Sequence, residues 1–161
     1  MKRRVISLVL TVVLLAALFV APVGASAATK IKILKVTEDG ARLRRGPSSS
    51  YDVIKSLSKG AKVFYAGKTK KSFAYICTST GTKGYVFQGF LKNYGSCYKS
   101  QVYYAKKRAK VYKKAGSSSR VTTLSKKQHV IVYQVKGKWA YVKTMGGKGG
   151  YVKASVLKKA F

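Results

Sequence analysis

The chain has 161 residues, with 34 Lys and Arg against three acids and a formal net charge of +31. So few carboxylates, with one His and two Cys, leave little for acid–base or metal chemistry. The self-repulsion of such a charge calls for counterions or a polyanionic partner.

In chain order, basic Lys2, Arg3 and Arg4 precede an apolar stretch from Val5 to Ala21, then Pro22, Gly24 and the small-residue site Ala25-Ser26-Ala27. That order predicts a signal peptide over residues 1–27, cleaved after Ala27. A retained membrane anchor is the alternative, but the apolar run falls short of the roughly 20 residues that span a bilayer, and Pro22 closes it. Cleavage leaves 134 residues. With Lys2, Arg3 and Arg4 gone the net charge falls by three, to +28. Export argues against intracellular nucleic acid as the partner. Cys77 and Cys97 are an even pair in an exported chain, and they suggest a disulfide.

Beyond residue 27 no helical period is sustained, whereas short alternating runs recur between Gly-, Ser- or Lys-rich turns, predicting an all-β protein. The first half has runs at Ile31 to Val36, Ala41 to Arg45, Val53 to Leu57, Lys62 to Gly67, Phe73 to Thr78 and Gly84 to Phe87. An internal repeat follows at a spacing of about 66 to 68 residues. Ala41-Arg42-Leu43 matches Ala109-Lys110-Val111, and Leu57-Ser58-Lys59 matches Leu124-Ser125-Lys126. Phe73-Ala74-Tyr75-Ile76 matches Trp139-Ala140-Tyr141-Val142, and Gly84-Tyr85-Val86 matches Gly150-Tyr151-Val152. The repeat predicts domains at 33–93 and 101–161 joined by a polar linker at 94–100. One core is assigned to Leu43, Val53, Leu57, Val63, Ile76 and Val86, and the other to Val111, Val121, Leu124, Val130, Val142 and Val152.

The run Leu43-Arg44-Arg45-Gly46-Pro47-Ser48, with Tyr51, Val53-Ile54, Leu57, Lys59-Gly60, Val63, Phe73, Ile76, Gly84-Tyr85-Val86 and Leu91, resembles the bacterial SH3-like (SH3b) family. A weaker copy follows at 101–159, where Lys114-Ala115 and Ser119 replace Gly46-Pro47 and Tyr51. The resemblance implies two tandem SH3-like β-barrels. It also implies the family's usual role in exported bacterial proteins, holding a partner enzyme against peptidoglycan or associated polymers.

Glu38 and Asp39 are adjacent and would face opposite sides of a strand, a poor catalytic pair. A Cys77 and His129 dyad would join different repeats without a third orienting group. No enzyme activity, metal or cofactor is therefore expected. A polyanion reader needs many outward cations, and strand parity turns Arg42, Arg44 and Lys110 outward from Leu43 and Val111. Arg45, Lys68, Lys70, Lys71, Lys106, Lys107, Arg108, Lys113, Lys114, Lys126 and Lys127 add loop-borne charge. The expectation is a secreted, wall-associated protein that binds an anionic cell-wall polymer or peptidoglycan. A peptide-binding groove is the alternative, with Tyr51, Phe73 and Tyr85 in the first domain and Trp139 and Tyr151 in the second. A membrane-active cationic protein is a third option, disfavoured by the lack of an amphipathic helix.

Overall fold

The computed structural model describes residues 28–161, so the expected signal peptide lies outside the described residues. The structure is all-β, two SH3-like barrels in tandem, each a seven-stranded antiparallel sheet. The first contains β1 (Lys30–Val36), β2 (Ala41–Arg44), β3 (Val53–Leu57), β4 (Lys62–Lys70), β5 (Phe73–Thr78), β6 (Lys83–Phe87) and β7 (Leu91–Tyr98). The second contains β8 (Val102–Ala105), β9 (Ala109–Tyr112), β10 (Arg120–Leu124), β11 (His129–Lys136), β12 (Trp139–Thr144), β13 (Gly149–Lys153) and β14 (Leu157–Lys159). The sheet orders are β3-β2-β6-β5-β4-β1-β7 and β10-β9-β13-β12-β11-β8-β14, the same path repeated seven strands later. A single turn of 3-10 helix precedes the last strand of each, at Gln88–Phe90 and Ala154–Val156.

Alternation fills each barrel. Ala41 and Leu43 of β2, Val63 of β4, Ala74 and Ile76 of β5 and Val86 of β6 close the first core with Val36 and Leu57. Val111, Leu124, Val130, Val142 and Val152 anchor the second. Val53 and Val121 do not belong to these cores: they are the first residue of β3 and the second of β10, edge strands with a single neighbour, and are 44% and 37% exposed. Close approach between strands depends on two glycines. A Cβ on Gly84 would lie 2.6 Å from the Arg44 carbonyl oxygen, and one on Gly150 would lie 2.5 Å from that of Tyr112.

Residues 94–100 are not a linker. Seven residues of β7 pair with β1, from Leu91 opposite Val36 to Tyr98 opposite Lys30, with Tyr94 the extra residue of a bulge. A turn of 3-10 helix, Lys99–Gln101, then leads directly into β8. The two barrels share a third apolar cluster: Ile31, Ile33, Phe64, Cys77 and Cys97 from the first, and Val102, Ile131 and Met145 from the second. The central strands thus bury both faces, as Val63 packs into the barrel and Phe64 into the junction. The His129 amide also donates to the Ser79 carbonyl at 2.7 Å across the junction.

The expected disulfide does not form, and both cysteines are free and buried. Cys77 on β5 and Cys97 on β7 are separated by β4 and β1.

Candidate polyanion-binding surface

On β2 the buried Ala41 and Leu43 leave Arg42 exposed and Arg44 half-buried on the outer face. Arg44 Nη1 donates to the Tyr51 carbonyl at 2.7 Å, which fixes the guanidinium against the loop that follows. Gly46 makes room for this loop, because a Cβ there would meet the Tyr51 ring at 2.5 Å. Arg42 and Arg44 line an open groove of about 560 Å³ together with Asp39, Phe73, Phe87 and Phe90. Phe87 lies edge-on to both other rings, at centroid distances of 5.7 and 5.4 Å. Of the three aromatics expected here, Phe73 lines the groove. Tyr51 instead packs over Gly46, and Tyr85 pairs with Tyr75 at 4.9 Å across β5 and β6. Phe87 and Phe90 went unrecognised in the sequence because they sit at the strand end and in the 3-10 turn, where parity gives no signal.

The second barrel has a groove of about 340 Å³ lined by Trp139, Tyr141, Tyr151, Lys114 and Lys136, among others. Trp139 occupies the position of Phe73 in the repeat and meets Tyr112 edge-on at 5.9 Å. Tyr141 and Tyr151 meet edge-on with ring centroids 5.2 Å apart. The two grooves flank their shared aromatic position differently. One opens toward β2 and the 3-10 turn, the other toward the β9–β10 loop and the end of β11.

The loop cations gather into separate exposed groups. Lys68 and Lys70 end β4, and Lys71 with Ser72 makes a tight hairpin turn at φ 47° and 62°. Lys106, Lys107 and Arg108 approach Lys126 and Lys127 at one end of the second barrel. There the Lys127 amide donates to the Ala105 carbonyl at 2.8 Å, and the Ala105 amide to that of Gln128 at 2.9 Å. Lys113 and Lys114 lie in the β9–β10 loop, and Lys110 is exposed on β9. Arg45 is exposed and its amide donates to the Asp52 carbonyl at 3.0 Å. Little opposes this charge locally. Asp39, one of three carboxylates in the sequence, accepts the Lys59 amide at 2.8 Å.

Cys77 and His129 both lie at the junction, on either side of Phe64. Cys77 is opposite Phe64 in the β4–β5 ladder, and the Phe64 and His129 rings are 6.1 Å apart. Burial pushes the Cys77 thiol above its ordinary pKa, only partly offset by Lys83, and the Sγ–H donates to the Thr78 carbonyl at 3.6 Å. Burial likewise lowers the pKa of His129, whose Nδ1 has no hydrogen-bond partner. A thiol held protonated is the opposite of an activated nucleophile. Among the described residues no three of His, Cys, Asp and Glu cluster as metal ligands would, and no helix is long and apolar enough to cross a membrane.

Residues 39–92 match the family model of the bacterial SH3 domain. No curated protein matches the chain. Among solved structures, NlpC2 from Trichomonas vaginalis is similar at 14% identity and a TM-score of 0.34, over 83% of this chain and 49% of that one. NlpC1 from Trichomonas vaginalis is similar at 16% identity and a TM-score of 0.34, over 83% and 47%. The chain spans about half the length of these two structures.

Proposed function

We propose that this chain is a non-catalytic, secreted protein that attaches to the anionic polymers of a bacterial cell wall, teichoic acid or peptidoglycan, through the basic surface of its two barrels. The observation that carries the reading is the charge: residues 28–161 have a net charge of +28 with only three acids. The candidate cations stand on strands and loops around both barrels and are exposed or, at Arg44, half-buried. Neutralising phosphodiesters along a polymer releases condensed counterions, so the affinity falls steeply with salt. Two linked barrels gain further avidity on a repeating ligand, with no new kind of contact. Cosedimentation of the chain with purified walls tests the proposal. Binding should fall on stripping the teichoic acid and fall again on raising the salt; retention unchanged by both treatments refutes it.

The Arg42, Arg44, Phe73, Phe87 and Phe90 groove favours a second reading, recognition of a peptide with apolar side chains. That reading predicts weak salt dependence and loss of binding on Tyr51→Ala, which would remove the ring behind the Arg44 loop.

A further inference from the structure

The ladder of the first barrel places three lysines side by side. Lys35 on β1 is directly opposite Lys92 on β7 and directly opposite Lys62 on β4. Directly opposed residues of an antiparallel ladder project from the same face, and like charges so placed repel. This row lies on the outer face, because Leu34 and Val36 on either side of Lys35 point into the barrel. The next outward residues along these two strands, Ile33 and Phe64, are already in the junction, so the lysine row runs along its rim. The second barrel meets that rim with another lysine. Lys143 on β12 is directly opposite Ile131, itself in the junction cluster.

Two crevices follow the row. One, of about 280 Å³, is walled by Lys35, Lys59 and Lys92. The other, of about 150 Å³, opens across the seam between Lys62 and Tyr94 of the first barrel and Tyr133 and Lys143 of the second. Both are smaller than sites that enclose a drug-sized ligand, and suit successive small groups of a thin chain. Tyr94 lines the second of them with Lys62 Nζ 3.9 Å from its ring centroid. Its hydroxyl pKa is lowered first by Lys62, then by the charges of Lys143 and Lys35. Cations from both barrels thus act on one point.

We infer that the lysine row Lys92–Lys35–Lys62, continued by Lys143 across the seam, is a binding track for one linear phosphodiester polymer, assembled only when the two barrels are packed together. The cations along it, Lys59 included, are all lysines, which bind phosphate as point charges. Arginine would be favoured for the planar, bidentate recognition of carboxylates. The inference rests on the proposed polyanion binding and locates it away from the loop clusters and the aromatic grooves.

The test compares full chains binding synthetic poly(glycerol phosphate) over a salt series. One triple variant, Lys35→Gln/Lys62→Gln/Lys143→Gln, removes the centre of the track. The other, Lys55→Gln/Arg120→Gln/Lys153→Gln, removes the same charge from strands β3, β10 and β13. The track variant should bind at least tenfold more weakly, with a slope of log affinity against log salt shallower by about 2, at roughly 0.7 for each of three lost phosphate contacts. The other triple should lose far less of both. Equal losses in the two variants would overturn the track while leaving diffuse polyanion binding intact, whereas no binding by the unsubstituted chain would overturn both readings. Folding is controlled by heating. Lys35→Gln alone should raise the melting temperature by relieving repulsion, and the polymer should raise that of the unsubstituted chain by more than that of the track variant.

Discussion

Truncating Phe64 to Ala should destabilise the barrel that does not contain it. Phe64 is fully buried on the junction side of β4, beside Ile33 and Cys77 of its own barrel and Ile131 and Met145 of the other. Removing such a ring costs about 3–5 kcal/mol, the spread set by how far the site can collapse. The loss is large beside the 5–15 kcal/mol typical of whole domains. If the barrels unfold as one unit, the cost lowers a common melting temperature by roughly 10 °C or more. The sequence supplies a reporter, because its single tryptophan, Trp139, is on β12 of the second barrel. Its fluorescence and the far-ultraviolet circular dichroism of the whole chain should give one coincident transition in the parent and in Phe64→Ala, shifted equally. A Trp139 transition that stays in place while the circular dichroism splits would refute the shared junction, and with it any site that spans the seam.

Three other outcomes follow from the packing. Because burial holds the folded pKa of His129 below its ordinary 6.5, the unfolded chain binds more protons in that range. The stability that neutral His129 retains above pH 6.5 should be lost as the pH falls through the lowered folded value, and denaturant titrations should show His129→Phe flattening that dependence. The charge of Lys83 and the backbone of Lys127 act on His129, and the rings of Phe64 and Tyr104 flank it at centroid distances of 6.1 and 5.9 Å. A thiol reagent should find no reactive cysteine in the native chain and two in denaturant without reductant, whereas a disulfide would leave none. Gly150→Ala should cost roughly 1–3 kcal/mol or more in chemical unfolding, since its Cβ would press on the Tyr112 carbonyl at 2.5 Å.

Much of the barrel architecture was legible because small barrels write their inner face as alternation. All six strands expected in the first half form, most within a residue or two of their expected ends, and the repeat reappears as an identical strand order. The junction was not legible by the same rule. Strands buried on both faces read as continuous apolar runs, and Val63-Phe64, Ile76-Cys77 and Val130-Ile131-Val132 are such runs, split between a barrel and the shared cluster. Residues 94–100 looked like a linker because Tyr, Gly, Ser and Lys break the apolar pattern there, yet the backbone of 95–98 continues the β7 ladder along β1. The cysteines looked like a pair because sequence does not reveal how many strands lie between two positions.

The candidate surface divides in a similar way. Clustered cations such as Lys68, Lys70 and Lys71 announce themselves, and parity turned Arg42 and Lys110 outward as the structure places them. Lys35, Lys62, Lys92 and Lys143 are isolated among apolar or polar neighbours in sequence, and only cross-strand register and the packing of two barrels bring them into one row.

The account depends most directly on how the affinity of the whole chain for purified, teichoic-acid-bearing walls varies with salt. Binding driven by release of condensed counterions should give a straight line of log affinity against log salt with a slope of about −3 or steeper, equivalent to four or more phosphates engaged. A slope near zero, with binding abolished by Tyr51→Ala, would contradict it and assign recognition to the aromatic groove.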